Sequence, residues 1–205
     1  RAFGEDGLSF SDPDPGVRGK AVGRISSHIE LASLLGCRVI LGLILGKNPP
    51  SPETEKRILD CLRPCAELAE EKKVVLVVEP INRYETGFIN RVDDCLALLD
   101  RLGRPACRVL LDTFHMNIEE PSIHDSIAKA GGRIGHVHVA DSNRWYPGAG
   151  HLDFPEILRA LKKTGYSGFL SAEILPLPDP ETAAARTAEN LRAFLRDLGE
   201  ERKET

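Results

Sequence analysis

Five short runs of apolar, largely β-branched residues recur along this chain, each followed by a longer segment with helical spacing. They are residues 38–44 (RVILGLI), 74–79 (VVLVVE), 108–112 (RVLLD), 134–140 (IGHVHVA) and 168–174 (GFLSAEI). Too short for helices and with little polar alternation, they fit parallel strands covered on both faces, the pattern of repeated βα units. Helices are expected at about 17–36, 52–72, 91–103, 122–131, 153–164 and 180–199. Ser51 before Pro52, Asp153 before Pro155 and Asp179 before Pro180 supply start signals, and Gly36, Gly103, Gly131 and Gly165 stand near helix ends.

Five parallel strands suffice for an open doubly wound sheet, but no GxGxxG turn follows any of them, so a dinucleotide-binding version lacks its phosphate loop. The alternative, an α/β barrel of eight units, takes about 250 residues, against 205 here. On that alternative about three units are expected to precede this chain. Its opening at Arg1 in a Gly- and Asp-rich segment agrees with that expectation.

With 41% hydrophobic and 28% charged residues the chain can bury one sizeable core. A net charge of -4 and a pI near 5.9 leave no basic surface to neutralise phosphates, so no nucleic-acid partner is expected. No stretch approaches the roughly 20 apolar residues of a membrane span, and no membrane partner is expected. The five cysteines are odd in number and form no CxxC pair, which fits a reducing, cytoplasmic compartment. Cys61 and Cys65 share a helix face without histidine partners and are expected to pack in the core.

The chemistry sits at the strand ends. Glu79 ends the second run, Asp112 the third, and His138 and Glu173 stand near the ends of the fourth and fifth. Their separations of 33, 26 and 35 residues each equal about one βα repeat. Parallel strands deliver such side chains to one rim, where α/β folds build their active sites. Singly, an acid at a strand end caps a helix or faces water. Three acids and a histidine in successive units are costly to bury unless they share a cation. That oxygen-rich set suits Mn²⁺ first, with Mg²⁺ or Co²⁺ next and Zn²⁺ retained on affinity. His136 lies on the same strand face as His138 and is expected to be a hydrogen-bonded neighbour rather than a ligand. His28, His124 and His151 carry no expected role, and Trp145 and Tyr146 either wall the pocket or pack their own loop.

Four segments, VEPINRYET (78–86), LLDTFHMNIEE (110–120), GHVHVADSNRWYPGAGHLDF (135–154) and SAEI (171–174), together resemble the xylose isomerase-like TIM-barrel superfamily, and within it the ketose 3-epimerases. The resemblance implies a single partial barrel domain over residues 1–205, with the four candidate ligands on strands five to eight. It assigns metal binding to Glu79, Asp112, His138 and Glu173, and an acid/base role to Glu79 and Glu173 on opposite faces of a sugar. It gives Glu85, His115 and Arg144 to substrate oxygens. One departure is Asp141, where the group usually carries Glu.

The activity so implied is metal-dependent isomerisation or epimerisation of a small-molecule sugar through an enediolate, with 3-epimerisation as the first expectation. The alternatives are a hydroxypyruvate or inositol-pathway isomerase of the same superfamily, and an inactive metal-binding fragment. A DNA-repair endonuclease on this barrel would need more metal ligands than the chain offers. Sheet edges left open by absent strands would favour a homo-oligomer.

Overall fold

The structure is a computed structural model and describes residues 3–200. The chain divides into two compact units, one ending at Leu110 and one beginning at Leu111. In chain order the elements of the first are α1 (Pro15–Leu35), β1 (Val39–Leu41), a 3-10 turn (Leu43–Leu45), α2 (Pro52–Lys72), β2 (Leu76–Val78), α3 (Val92–Leu102) and most of β3 (Cys107–Asp112). The second holds the end of β3, then α4 (Thr113–Glu119), α5 (Ile123–Ala130), a 3-10 turn (Gly131–Arg133), β4 (Ile134–Val139), α6 (Phe154–Lys163), β5 (Leu170–Ala172) and α7 (Pro180–Glu200).

In the first unit the strands pair in parallel, with Val39 opposite Leu76 and Leu76 opposite Cys107. All three residues of β2 are buried, as expected of a parallel strand covered on both faces. Ile25 and Ile29 of α1 and Ile58 and Leu62 of α2 belong to this core. Asp14 and Ser51 cap α1 and α2 by accepting from the N–H groups of Gly16 and Thr54. Cys61 and Cys65 are buried on α2 and Cys107 on β3, and none of the five cysteines forms a disulfide. Burial pushes the Cys65 and Cys107 thiols up to about 12, so they act as packing groups rather than nucleophiles.

The first run is shorter as a strand than its sequence suggests. Gly42 takes φ -106 and ψ -111, and Leu43–Leu45 coil into the 3-10 turn that ends at Gly46, whose φ is 100. Ser9 and Ser11 are buried against that glycine, and a Cβ there would run into both hydroxyls. Thr86 donates to the Gly46 carbonyl at 2.8 Å, tying the turn to the loop after β2. Gly46→Ala is therefore expected to cost about 2–4 kcal/mol, combining overpacking with backbone strain. Urea unfolding checks this, and an unshifted midpoint would contradict it.

In the second unit β4 and β5 are parallel, with His138 opposite Ser171. Phe154 of α6 and Phe194 of α7 stack with ring centroids 6.1 Å apart. Helix α4 was not foreseen. Asp112 caps it directly from the strand, so no polar linker marks its start. Thr113 anchors it, donating to the Ala140 carbonyl at 2.6 Å and accepting from the Ala140 N–H at 2.9 Å. Among the described residues no helix is long and apolar enough to cross a membrane.

Candidate active site

Asp112 is the last residue of β3 and the cap of α4, and it is 1% exposed. Its Oδ1 accepts from the N–H groups of Phe114 at 2.8 Å and His115 at 3.3 Å. Its Oδ2 is buried with no hydrogen-bond partner among the described residues. That oxygen lies 3.6 Å from Nδ1 of His138, which in turn lies 3.6 Å from Oε2 of Glu173, just past the end of β5. Register explains the meeting, because His138 and Ser171 are partners across the sheet and Glu173 lies two residues beyond.

His115, on the first turn of α4, is 3% exposed. Asp112, His115 and Glu173 each offer a ligand atom, and these lie within 4.8 Å of one another. Both imidazoles thus reach the carboxylates, His115 from a position that the resemblance assigned to substrate. A buried carboxylate oxygen left without a donor costs about 1–3 kcal/mol or more, and a cation would supply its partner. The oxygen and nitrogen donors fit a divalent ion of hard or intermediate character. This cluster could hold one.

Arg144 bears on the same group. Its Nη2 donates to Oε2 of Glu173 at 3.1 Å, and its guanidinium lies 4.9 Å from the ring centre of Phe114. It forms an ion pair with Glu173. Its backbone sits in the left-handed region at φ 61, and its carbonyl accepts from the Leu175 N–H at 2.8 Å. The His138 imidazole, 3.6 Å away, is the largest influence and lowers the Glu173 pKa to about 2, opposed by burial and aided by the charges of Arg144 and His115. Glu173 is therefore an anion across the physiological range.

Trp145 and Tyr146 tilt against each other at 6.5 Å between ring centroids. His136 meets His138 edge-on at 5.2 Å.

Glu79 and Glu85 belong to the first unit. Glu79 follows β2, is 6% exposed, and donates its N–H to the Leu41 carbonyl at 3.0 Å. A Cβ on Gly42 would lie 2.9 Å from its Oε2, so the glycine makes room for the carboxylate. Glu85 is held by Asn82, a residue that sequence reasoning passed over. The Asn82 amide donates to Oε1 of Glu85 at 2.9 Å, and its backbone carbonyl accepts from Glu85 N–H at 3.0 Å. Asn82 is 2% exposed, and the signal was its place inside a turn that ends in an acid.

The chain belongs to the xylose isomerase-like TIM-barrel family, whose sequence model matches residues 2–197. It carries five βα units of that incomplete barrel among its described residues. It is 35% identical over 182 residues to an L-ribulose 3-epimerase of Methylomonas sp. (strain DH-1), covering 84% of this chain and 64% of that protein. A D-psicose 3-epimerase of Enterocloster bolteae is 44% identical over 107 residues, covering 52% of this chain and 36% of the relative. The chain thus spans less than two thirds of the length of these relatives. Among solved structures, D-allulose 3-epimerase from Methylomonas sp. in complex with D-allulose superposes with a TM-score of 0.76 at 31% identity, over 84% of this chain and 62% of the other.

Proposed function

We propose that this chain carries the metal-binding and proton-transferring part of a ketose 3-epimerase. The observation that carries the reading is the meeting of Asp112, His138 and Glu173 from three successive strands, with Arg144 laid against Glu173. The names of the relatives support the reaction class.

The chemistry to be done is removal of a proton from a carbon beside a ketone. Glu173, held near pKa 2, is a weak base toward such a carbon, and efficient general bases lie nearer the working pH. A divalent ion on Asp112, His138 and Glu173, with Glu79 as the fourth ligand, would supply Lewis acidity and polarise the substrate carbonyl. Mn²⁺ is the first choice, since the donors are mostly carboxylates.

In this reading Glu173 and Glu79 address opposite faces of the same carbon. One carboxylate takes the proton, giving an enediolate, and the other returns a proton from the far side, which inverts the centre. Arg144, His115 and Glu85 hold sugar oxygens and fix which carbon lies between the carboxylates. Five cysteines without a disulfide among them agree with a cytoplasmic setting.

The position of inversion is the point to test, since a 3-dehydro-D-guloside 4-epimerase of Escherichia coli (strain K12) is also a relative, 31% identical over 138 residues. The full chain, supplied with Mn²⁺ in D₂O, is offered L-ribulose, D-psicose and other ketoses, and the products are followed by NMR. Deuterium entering C3 together with formation of the C3 epimer is expected, and chelation should stop both. Exchange at another carbon would move the reaction centre, and no exchange with any ketose would overturn the proposal.

A further inference from the structure

Asp141 is 0% exposed, yet it is an acid on a loop, and among the described residues no cationic side chain bonds to its carboxylate. Its partners are backbone amides. Oδ1 accepts from Ser142 at 2.7 Å and Leu152 at 3.1 Å, and Oδ2 accepts from Gly148 at 2.7 Å. Burial by itself would raise its pKa, but the N–H groups of Leu152, Ser142, Gly150 and Gly148 outweigh burial and bring it below the usual carboxylate range. One side chain thus gathers the amides of an eleven-residue span from Ser142 to Leu152.

The backbone of the same residue closes the turn that carries Arg144. The Asp141 carbonyl accepts from Arg144 N–H at 2.8 Å, and the Asp141 N–H donates to Trp145 at 2.9 Å. This turn holds Arg144 at φ 61, a region that costs an L-residue roughly 1–2 kcal/mol. The loop must therefore enforce the conformation from outside. Room for the carboxylate depends on Gly150, where a Cβ would run into Asp141 and the Ser142 hydroxyl.

We infer that Asp141 is a positioning residue, which sets the backbone of the 141–152 loop so that the Arg144 guanidinium rests between Phe114 and Glu173. This rests on the reading of Arg144 as a holder of substrate. It predicts that Asp141 acts through Arg144 and through nothing else in the reaction. The carboxylate reaches the chemistry only by way of main-chain amides, so its neutral isostere disturbs the loop without touching the ligands.

The experiment is a double-mutant cycle on the full chain with Mn²⁺ and the best ketose found in the screen. Asp141→Asn, Arg144→Ala and the double variant are compared for kcat and KM, with thermal unfolding to confirm that each is folded. Misplacing a substrate-holding group by about 1 Å costs on the order of 100-fold, so Asp141→Asn is expected to lower kcat/KM by roughly 10- to 100-fold, chiefly through KM. In the Arg144→Ala background it should then cost less than about 2-fold. Full multiplication of the two losses would overturn the inference, as would an unimpaired Asp141→Asn beside an impaired Arg144→Ala. An unimpaired Arg144→Ala would instead sink the reading of Arg144 itself, and the inference with it. Should Asp141→Asn fail to fold, Gly150→Ala displaces the carboxylate with its charge intact and is read in the same cycle.

Discussion

Glu173→Gln is expected to lower ketose turnover by about 10³-fold or more while sugar binding remains measurable. The substitution keeps the shape of the side chain, and its carbonyl oxygen can still accept from Arg144, which donates at 3.1 Å in the parent. What goes is the negative charge, which His138, Arg144 and His115 hold at a pKa of about 2. An amide can neither take a proton from carbon nor return one, and loss of a positioned acid/base group costs about 10² to 10⁴-fold. On the proposed reading, loss of an anionic metal ligand would add to that. Steady-state kinetics and calorimetric titration with sugar separate the two effects. Wild-type turnover in the variant would remove Glu173 from the chemistry altogether.

Asp112→Asn is expected to weaken Mn²⁺ binding by on the order of 100-fold or more, because even residues that only support a ligand are worth 10- to 100-fold. The fold should survive. Asn caps a helix about as well as Asp, so the N–H groups of Phe114 and His115 keep an acceptor. The second carboxylate oxygen, buried and facing His138 at 3.6 Å, becomes an amide that offers a cation nothing comparable. Titration of Mn²⁺ beside a thermal melt checks both halves. Unchanged Mn²⁺ affinity with an unchanged melt would show that the ion, if bound, sits elsewhere.

The alternation of apolar runs and helical spacing was enough to place the five strands and six of the seven α-helices among the described residues, since burial of parallel strands leaves a compositional mark. Strand ends were less legible, because glycines 42 and 46 turn the chain by backbone conformation rather than by hydropathy. Helix α4 escaped because its cap is also a strand residue. Asp112, His138 and Glu173 stood out as charges at the ends of apolar runs. The partners that orient the site did not. Phe114 under Arg144, Asn82 on Glu85, and the amides around Asp141 depend on turn geometry, and turn geometry leaves little trace in a pattern of residue types.

The division of labour within Asp112 bears on ion selectivity. Two amides of α4 hold Oδ1, and the carboxyl is thereby kept from swinging both oxygens toward one point. If the proposed ion binds here, Oδ2 would be the oxygen left to meet it. On the proposed reading, large ions such as Ca²⁺, which gather six to eight oxygens and favour chelating carboxylates, would lose one contact at this residue, while compact octahedral ions would lose none. On that reading a helix cap would double as a size filter.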